Sequence, residues 1–266
     1  MDILSHTLSG LAIATVIASF SKGGFKKKAG IMLLGTFAGA LPDLDAISMW
    51  SKFDGSIGKV FNLQHSGGVI YGSKFWYSHH AALHSLTFAA LLPLLYILLS
   101  SFSKPTTYFN NVVNKLKNSK VMILTFFLGF TIHLLEDMPT PASVWGGVNL
   151  LWPTSTYYGG FGKIWWWNNY DIFLIILSVI VANLIVHAIN SLRKIHLKKI
   201  TTIIFLSGFI LCIVQMNTRG FDFSYSGNTS RYHEFEQRSK NIQKEILGNS
   251  LYEIMLKFDN SLNLHF

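Results

Sequence analysis

DIFLIILSVIVANLIVHAINSLRKIHLKKITTIIFLSGFILCIVQMN, residues 171–217, decides how the rest of this chain is read. Two apolar runs, roughly 171–189 and 200–217, flank a connection carrying Arg193, Lys194, Lys198 and Lys199. Each run is close to the ~20 residues that cross a ~30 Å hydrocarbon core as a helix. A helix also satisfies every backbone donor and acceptor within its own segment, which lipid demands. Working outward, four more such runs occupy roughly 3–21, 29–49, 81–102 and 121–138. The expectation is an all-α membrane protein with about six transmembrane helices. Composition agrees: half of the 266 residues are hydrophobic and 13% are charged, against about a quarter charged in a soluble domain.

The net charge of +9 raises the question of nucleic acid, but placement answers it. The connections after the first, third and fifth runs hold Lys22, Lys26, Lys27 and Lys28, then Lys104, Lys115, Lys117 and Lys120, then the four basic residues above. Those twelve are drawn from 22 Lys and Arg, and none of the 13 acids joins them. The positive-inside rule makes these connections cytoplasmic. Both termini and segments 50–80 and 139–170 are then extracytoplasmic. A soluble bundle with basic turns is the weaker reading, because the alternation is too regular. No nucleic-acid partner is expected. Cys212 is the single cysteine, so neither a disulfide framework nor a Cys-based zinc site is available. No cleavable signal peptide is expected, since no basic residue precedes the first apolar run.

Trp145, Trp152, Trp165, Trp166 and Trp167 suit the outer headgroup level. Beyond residue 217 charges of both signs appear, with Ile242, Ile246, Leu247, Leu251, Ile254 and Leu256 at helical spacing. The organisation expected is a polytopic membrane domain over 1–217 and a short extracytoplasmic helical tail over 218–266.

With topology set by Lys and Arg alone, candidate ligands can be placed independently. His6 lies at the outer start of the first helix, and Asp43 and Asp45 at the outer end of the second. His79, His80 and His84 begin the third. His133 and Asp137 end the fourth. All reach one depth on one side of the membrane. Ionisable residues there are costly and usually face a bundle interior, a cavity or a partner. Imidazole and carboxylate together suit Zn²⁺, Mn²⁺ or Fe²⁺, and seven ligands exceed what one catalytic zinc needs, so one or two ions fit.

The signals differ in strength. His133 and Asp137, four apart, share a helix face, although a hydrogen-bonded interhelical couple would look the same. Asp43 and Asp45 follow Pro42 and repel unless a cation or proton intervenes. His79 and His84 would diverge by about 140° on one continuous helix; they converge only if His79 precedes the helix. His80, four before His84, is a rival to His79. His6 alone is weak. His65, His187, His196, His233 and His265 read as structural or solvated.

Taken in order, Ser5-His6-Thr7-Leu8-Ser9-Gly10, Pro42-Asp43-Leu44-Asp45, His79-His80-Ala81-Ala82-Leu83-His84-Ser85, Gly129 to His133 and Asp137, and Leu151-Trp152-Pro153 resemble a known set. It is that of the YdjM/YbcI-like family of bacterial integral membrane proteins, predicted metal-dependent hydrolases. The resemblance covers roughly residues 1–155. It implies a multi-pass protein of the bacterial cytoplasmic (inner) membrane. The departures lie in the third motif, where His80 stands for the family's Arg and Leu83 for its Thr.

The expected activity is hydrolysis at the extracytoplasmic interface. His6, Asp43, Asp45, His79, His84, His133 and Asp137 would hold the metal, which would bring a bound water's pKa towards ~7. Asp45 or His80 would act as general base or acid, and His80 and Trp152 would face the substrate. Headgroup depth suggests a membrane lipid partner, a phospholipid or lipid-linked (phospho)ester. Two other classes compete: an ion- or proton-coupled transporter, and a metal-stabilised scaffold without turnover. The crowding of the ligands at one membrane end disfavours transport.

Overall fold

A computed structural model describes residues 1–102, 108–193, 196–225 and 231–262. Lys104, Lys194 and His265, named above, lie outside them. The chain is an all-α membrane protein. Its α-helices are α1 (Ile3–Phe20), α2 (Phe25–Ala40), α3 (Gly67–Tyr71), α4 (Leu86–Ser100), α5 (Tyr108–Asn118), α6 (Lys120–Asp137), α7 (Tyr170–Leu192), α8 (Leu197–Asn217) and α9 (Tyr232–Ser261). Three of them (α1, α7 and α8) are long and apolar enough to cross a membrane alone. Two bent pairs raise the number to five: α2 with the 3₁₀ turn Pro42–Met49, bent by 46°, and α5 with α6, bent by 66°. With the shorter apolar α4, this approximates the six spans expected.

Two of those spans differ in detail. The run 29–49 does not continue as one helix, because Pro42 has no N–H to extend the ladder and a tighter 3₁₀ turn takes over. The run 81–102 helps to form a site before it forms a helix: residues up to His84 make a turn, and α4 begins at Leu86 with Ser85 Oγ accepting the Phe88 N–H at 3.1 Å. Four helices thus bring an end to one place: the starts of α1 and α4 and the ends of α2 and α6. Lys26 and Lys198 lie at the opposite ends, in the first turns of α2 and α8.

Small residues hold the centre. A Cβ on Gly10 would stand 2.2 Å from the Gly35 carbonyl oxygen, and one on Gly39 would stand 2.4 Å from that of His6. Gly129 of α6 closes on the same point of α2, where a Cβ would also meet Gly35 O, at 2.9 Å. Helices in lipid gain by such close backbone approach, since burial of apolar surface offers little there. The spacing between α1, α2 and α6 is therefore set by glycine.

Segment 139–169 folds over this end. Isolated antiparallel bridges pair Pro141 with Phe161 and Val148 with Tyr158. The tail packs beside it: Trp165 and Phe223 form a buried cluster with Phe235 and Ile242 of α9. The apolar spacing anticipated for the tail holds in part. Ile242 is buried and Leu247 and Leu256 pack inward, but Ile246, Leu251 and Ile254 are exposed. Gly248, whose φ of 71° interrupts the helix, shifts the phase beyond it, and Tyr252, Met255 and Asp259 take the buried face there.

Candidate metal centre

The four helix ends bring seven candidate side chains into one buried cluster. Its middle consists of four atoms from three elements. His84 Nε2 and His133 Nε2 face each other at 3.2 Å. Asp137 Oδ2 lies 3.1 Å from the second and 3.6 Å from the first. Asp43 Oδ1 stands 3.6 Å from His133 Nε2 and 3.7 Å from His84 Nε2. Ligands held tetrahedrally at about 2.0–2.1 Å from zinc lie about 3.3–3.4 Å from one another, and the five separations above scatter around that length.

Each imidazole is aimed by its other nitrogen. His133 Nδ1 donates to the Gly39 carbonyl at 2.7 Å, which turns Nε2 inward. Asp45 Oδ2 accepts from His84 Nδ1 at 2.9 Å, and Oδ1 from His79 Nδ1 at 2.6 Å. Both oxygens of Asp45 are thereby engaged behind the rings. His6 lies against the His133 ring, centroids 3.7 Å apart, with Nε2 3.1 Å from Asp137 Oδ1. Its Nδ1 meets Glu136 Oε2 at 2.8 Å, and Ser9 Oγ donates to the other Glu136 oxygen. The Met1 amino group stands 2.5 Å from Asp137 Oδ1.

His80 belongs to the same cluster. Its φ of 62° lies in the left-handed region, a costly conformation for a residue with a Cβ. Segment 139–169 holds it there: Asn149 N–H donates to His80 O at 2.9 Å, and His80 Nδ1 donates to Gly147 O at 3.0 Å. Burial, with the His79 imidazole alongside, pushes its pKa well below the ordinary histidine value. With Nδ1–H given to Gly147, Nε2 is left bare, 3.8 Å from Asp137 Oδ2. His79 and His80 thus both enter the cluster, and with His84 they form one of three groups among the described residues that could hold an ion. The others are His6–His133–Asp137 and Asp43–His84–His133, and shared histidines make the three contiguous.

A cation suits this centre on the protein's own terms. Asp137 Oδ2 and His6 Nε2 are fully buried and have no hydrogen-bond partner, a costly state that a metal relieves. Among the central four, Asp43 is the least buried, at 14% side-chain exposure against 3% or less for the rest.

The family model of the YdjM inner membrane protein matches residues 1–220. The chain belongs to this family. The match outruns the resemblance seen over 1–155 and takes in every helix through α8, leaving α9 beyond it. No curated protein and no solved structure matches the chain.

Several contributors to the centre carried weak signals or none. Glu136 is three residues from His133, on the same side of α6, and a carboxylate within an apolar helix was itself a signal. Trp145 was grouped with the interfacial tryptophans. It is 5% exposed and packs on His79 and His80, centroids 5.0 and 4.6 Å apart. Tyr71 stacks on His79 at 4.6 Å. Trp152 packs on Phe88, at 5.4 Å, and its carbonyl accepts the Thr87 hydroxyl at 2.5 Å, so it braces the first turn of α4. His187, assigned a structural role, hydrogen-bonds to the Thr15 carbonyl at 2.8 Å.

Proposed function

We propose that this chain is a metal-dependent hydrolase of the inner membrane, acting on a phosphoester of a membrane lipid at the extracytoplasmic face. The observation that carries the reading is the convergence of Asp43 Oδ1 and Asp137 Oδ2 on the facing His84 Nε2 and His133 Nε2, each within 3.1–3.7 Å of both nitrogens. Nitrogen and oxygen donors in that number favour Zn²⁺, with Mn²⁺ or Fe²⁺ as alternatives. His6 and His79 extend the donor set toward a second ion. Bound metal supplies Lewis acidity and an acidified water.

The chain's own groups divide the remaining work. Asp45 orients His79 and His84 from behind, as carboxylates commonly do for ligating histidines. His80 Nε2 carries a lone pair because Nδ1–H is committed to Gly147, which leaves it free to accept a proton. It accepts a proton from the attacking water as the water oxygen bonds to phosphorus. The ester P–O bond breaks, and the proton passes to the leaving oxygen. Beside Asp45 a cavity of about 440 Å³, walled by Ile47, Phe61, Trp76 and Phe88, offers apolar surface suited to lipid. The outer location follows from the basic connections at the opposite helix ends.

Elemental analysis of detergent-purified protein tests the reading. The expected result is stoichiometric transition metal, lost in His133→Ala together with metal-dependent release of phosphate or headgroup from phospholipid vesicles. Protein free of metal whose behaviour is unchanged by His133→Ala would sink it.

A further inference from the structure

A second cavity, of about 360 Å³, lies on the far side of the cluster, between α1, α6, α7 and α8. Its size falls within the usual range for small-molecule sites. On α8 its wall runs from Phe205 to Asn217 along one face, about 18 Å at 1.5 Å per residue, so the space is elongated. The wall is apolar over most of that length. Lys163 and Asn217 stand at one end, and Ser9 and Glu136 interrupt the side nearest the cluster. Glu136 belongs to both places, because its carboxylate bonds His6 of the metal centre.

The cavity opens sideways. Leu135 of α6 and Phe209 and Ile213 of α8 line it and are also exposed, so they flank a gap between helices that cross the bilayer. What reaches such a gap is hydrocarbon. The shape is long and apolar, and a lysine ammonium at one end complements an anionic headgroup. We infer that this slot holds one hydrocarbon chain of an anionic membrane lipid, with the headgroup at Lys163 and the chain lying along α8. The inference rests on the lipid reading of the metal centre and supplies its substrate class: an anionic lipid whose chain lies between α6 and α8, on the side of the cluster that Glu136 closes.

Photolabelling of the full chain, reconstituted in phosphatidylcholine nanodiscs with a trace of phosphatidylglycerol bearing a diazirine in one acyl chain, tests this. Labelling is done on metal-stripped protein, so the result does not depend on turnover. Label should concentrate on the slot residues of α6 and α8. It should be lost from them in Cys212→Trp and in Ile213→Trp, each of which fills the slot. Ile210→Trp, on the same helix outside the slot, should leave it intact. Two fillers are used so that misfolding of one, read by its melting curve, leaves the other decisive. Label spread evenly over all lipid-facing helices, or unmoved by a folded filler, overturns the slot. So does capture of a second protein's helix in the gap. If label concentrates but metal-dependent cleavage never occurs, the slot stands and the hydrolase reading fails; cleavage without localised label gives the reverse.

Discussion

Asp45 engages the Nδ1 atoms of His79 and His84 with separate oxygens, so its charge acts on the centre through two rings. Outer carboxylates of this kind typically alter metal affinity by about 10–100-fold. Asp45→Asn should therefore weaken binding by that order in chelator competition while leaving one full equivalent at saturating metal. Asp43→Asn, which changes a direct donor, should fail to reach the stoichiometry at all. Equal behaviour of the two variants would contradict the division of roles. Glu136 stands to His6 as Asp45 does to His84, and Glu136→Gln should weaken affinity similarly, read by the same competition. The i,i+4 pair His133–Asp137 was legible in the sequence because one helix turn sets that geometry. The roles of Asp45 and Glu136 were not, because a carboxylate's partners depend on which ring lies behind it.

Helix packing sets the scale on which those side chains meet. Gly10 leaves no room for a Cβ against Gly35 O, and overpacking typically costs ~1–3 kcal/mol. Gly10→Ala should lower the melting temperature and reduce retained metal together, because displacing α1 shifts His6 from its place against the His133 ring. Gly30→Ala, where a Cβ meets nothing within 4 Å, is the matched control, and an equal loss in both would refute the argument. The tail is held differently. Arg219 pairs with Asp171 at 2.8 Å, and Gln243 of α9 donates to the same carboxylate at 2.9 Å. Removing one partner of a buried pair typically costs about 3–5 kcal/mol. Arg219→Ala should accordingly loosen α9, seen as faster limited proteolysis of the tail with the membrane helices intact.

Across the whole molecule, the proposed orientation follows from where lysine and arginine lie. In a Cys212→Ala background, spheroplasts treated with a membrane-impermeant maleimide should label Lys59→Cys and Lys244→Cys. Lys27→Cys and Lys117→Cys should react only after lysis. The opposite pattern would invert the molecule and move the metal centre to the cytoplasmic face. What the linear chain determined by itself was its solvent and its periodic faces: lipid from runs of apolar residues, helices from the need to close backbone hydrogen bonds, and the ligands each helix could offer. Its register failed locally, at Pro42 and at Gly248, where backbone geometry breaks the period. What the tertiary structure alone decided was distance. Whether four helix ends lie near one another depends on glycine-mediated contact between α1, α2 and α6 and on the 139–169 segment that positions His80, and both are relations between residues far apart in the chain.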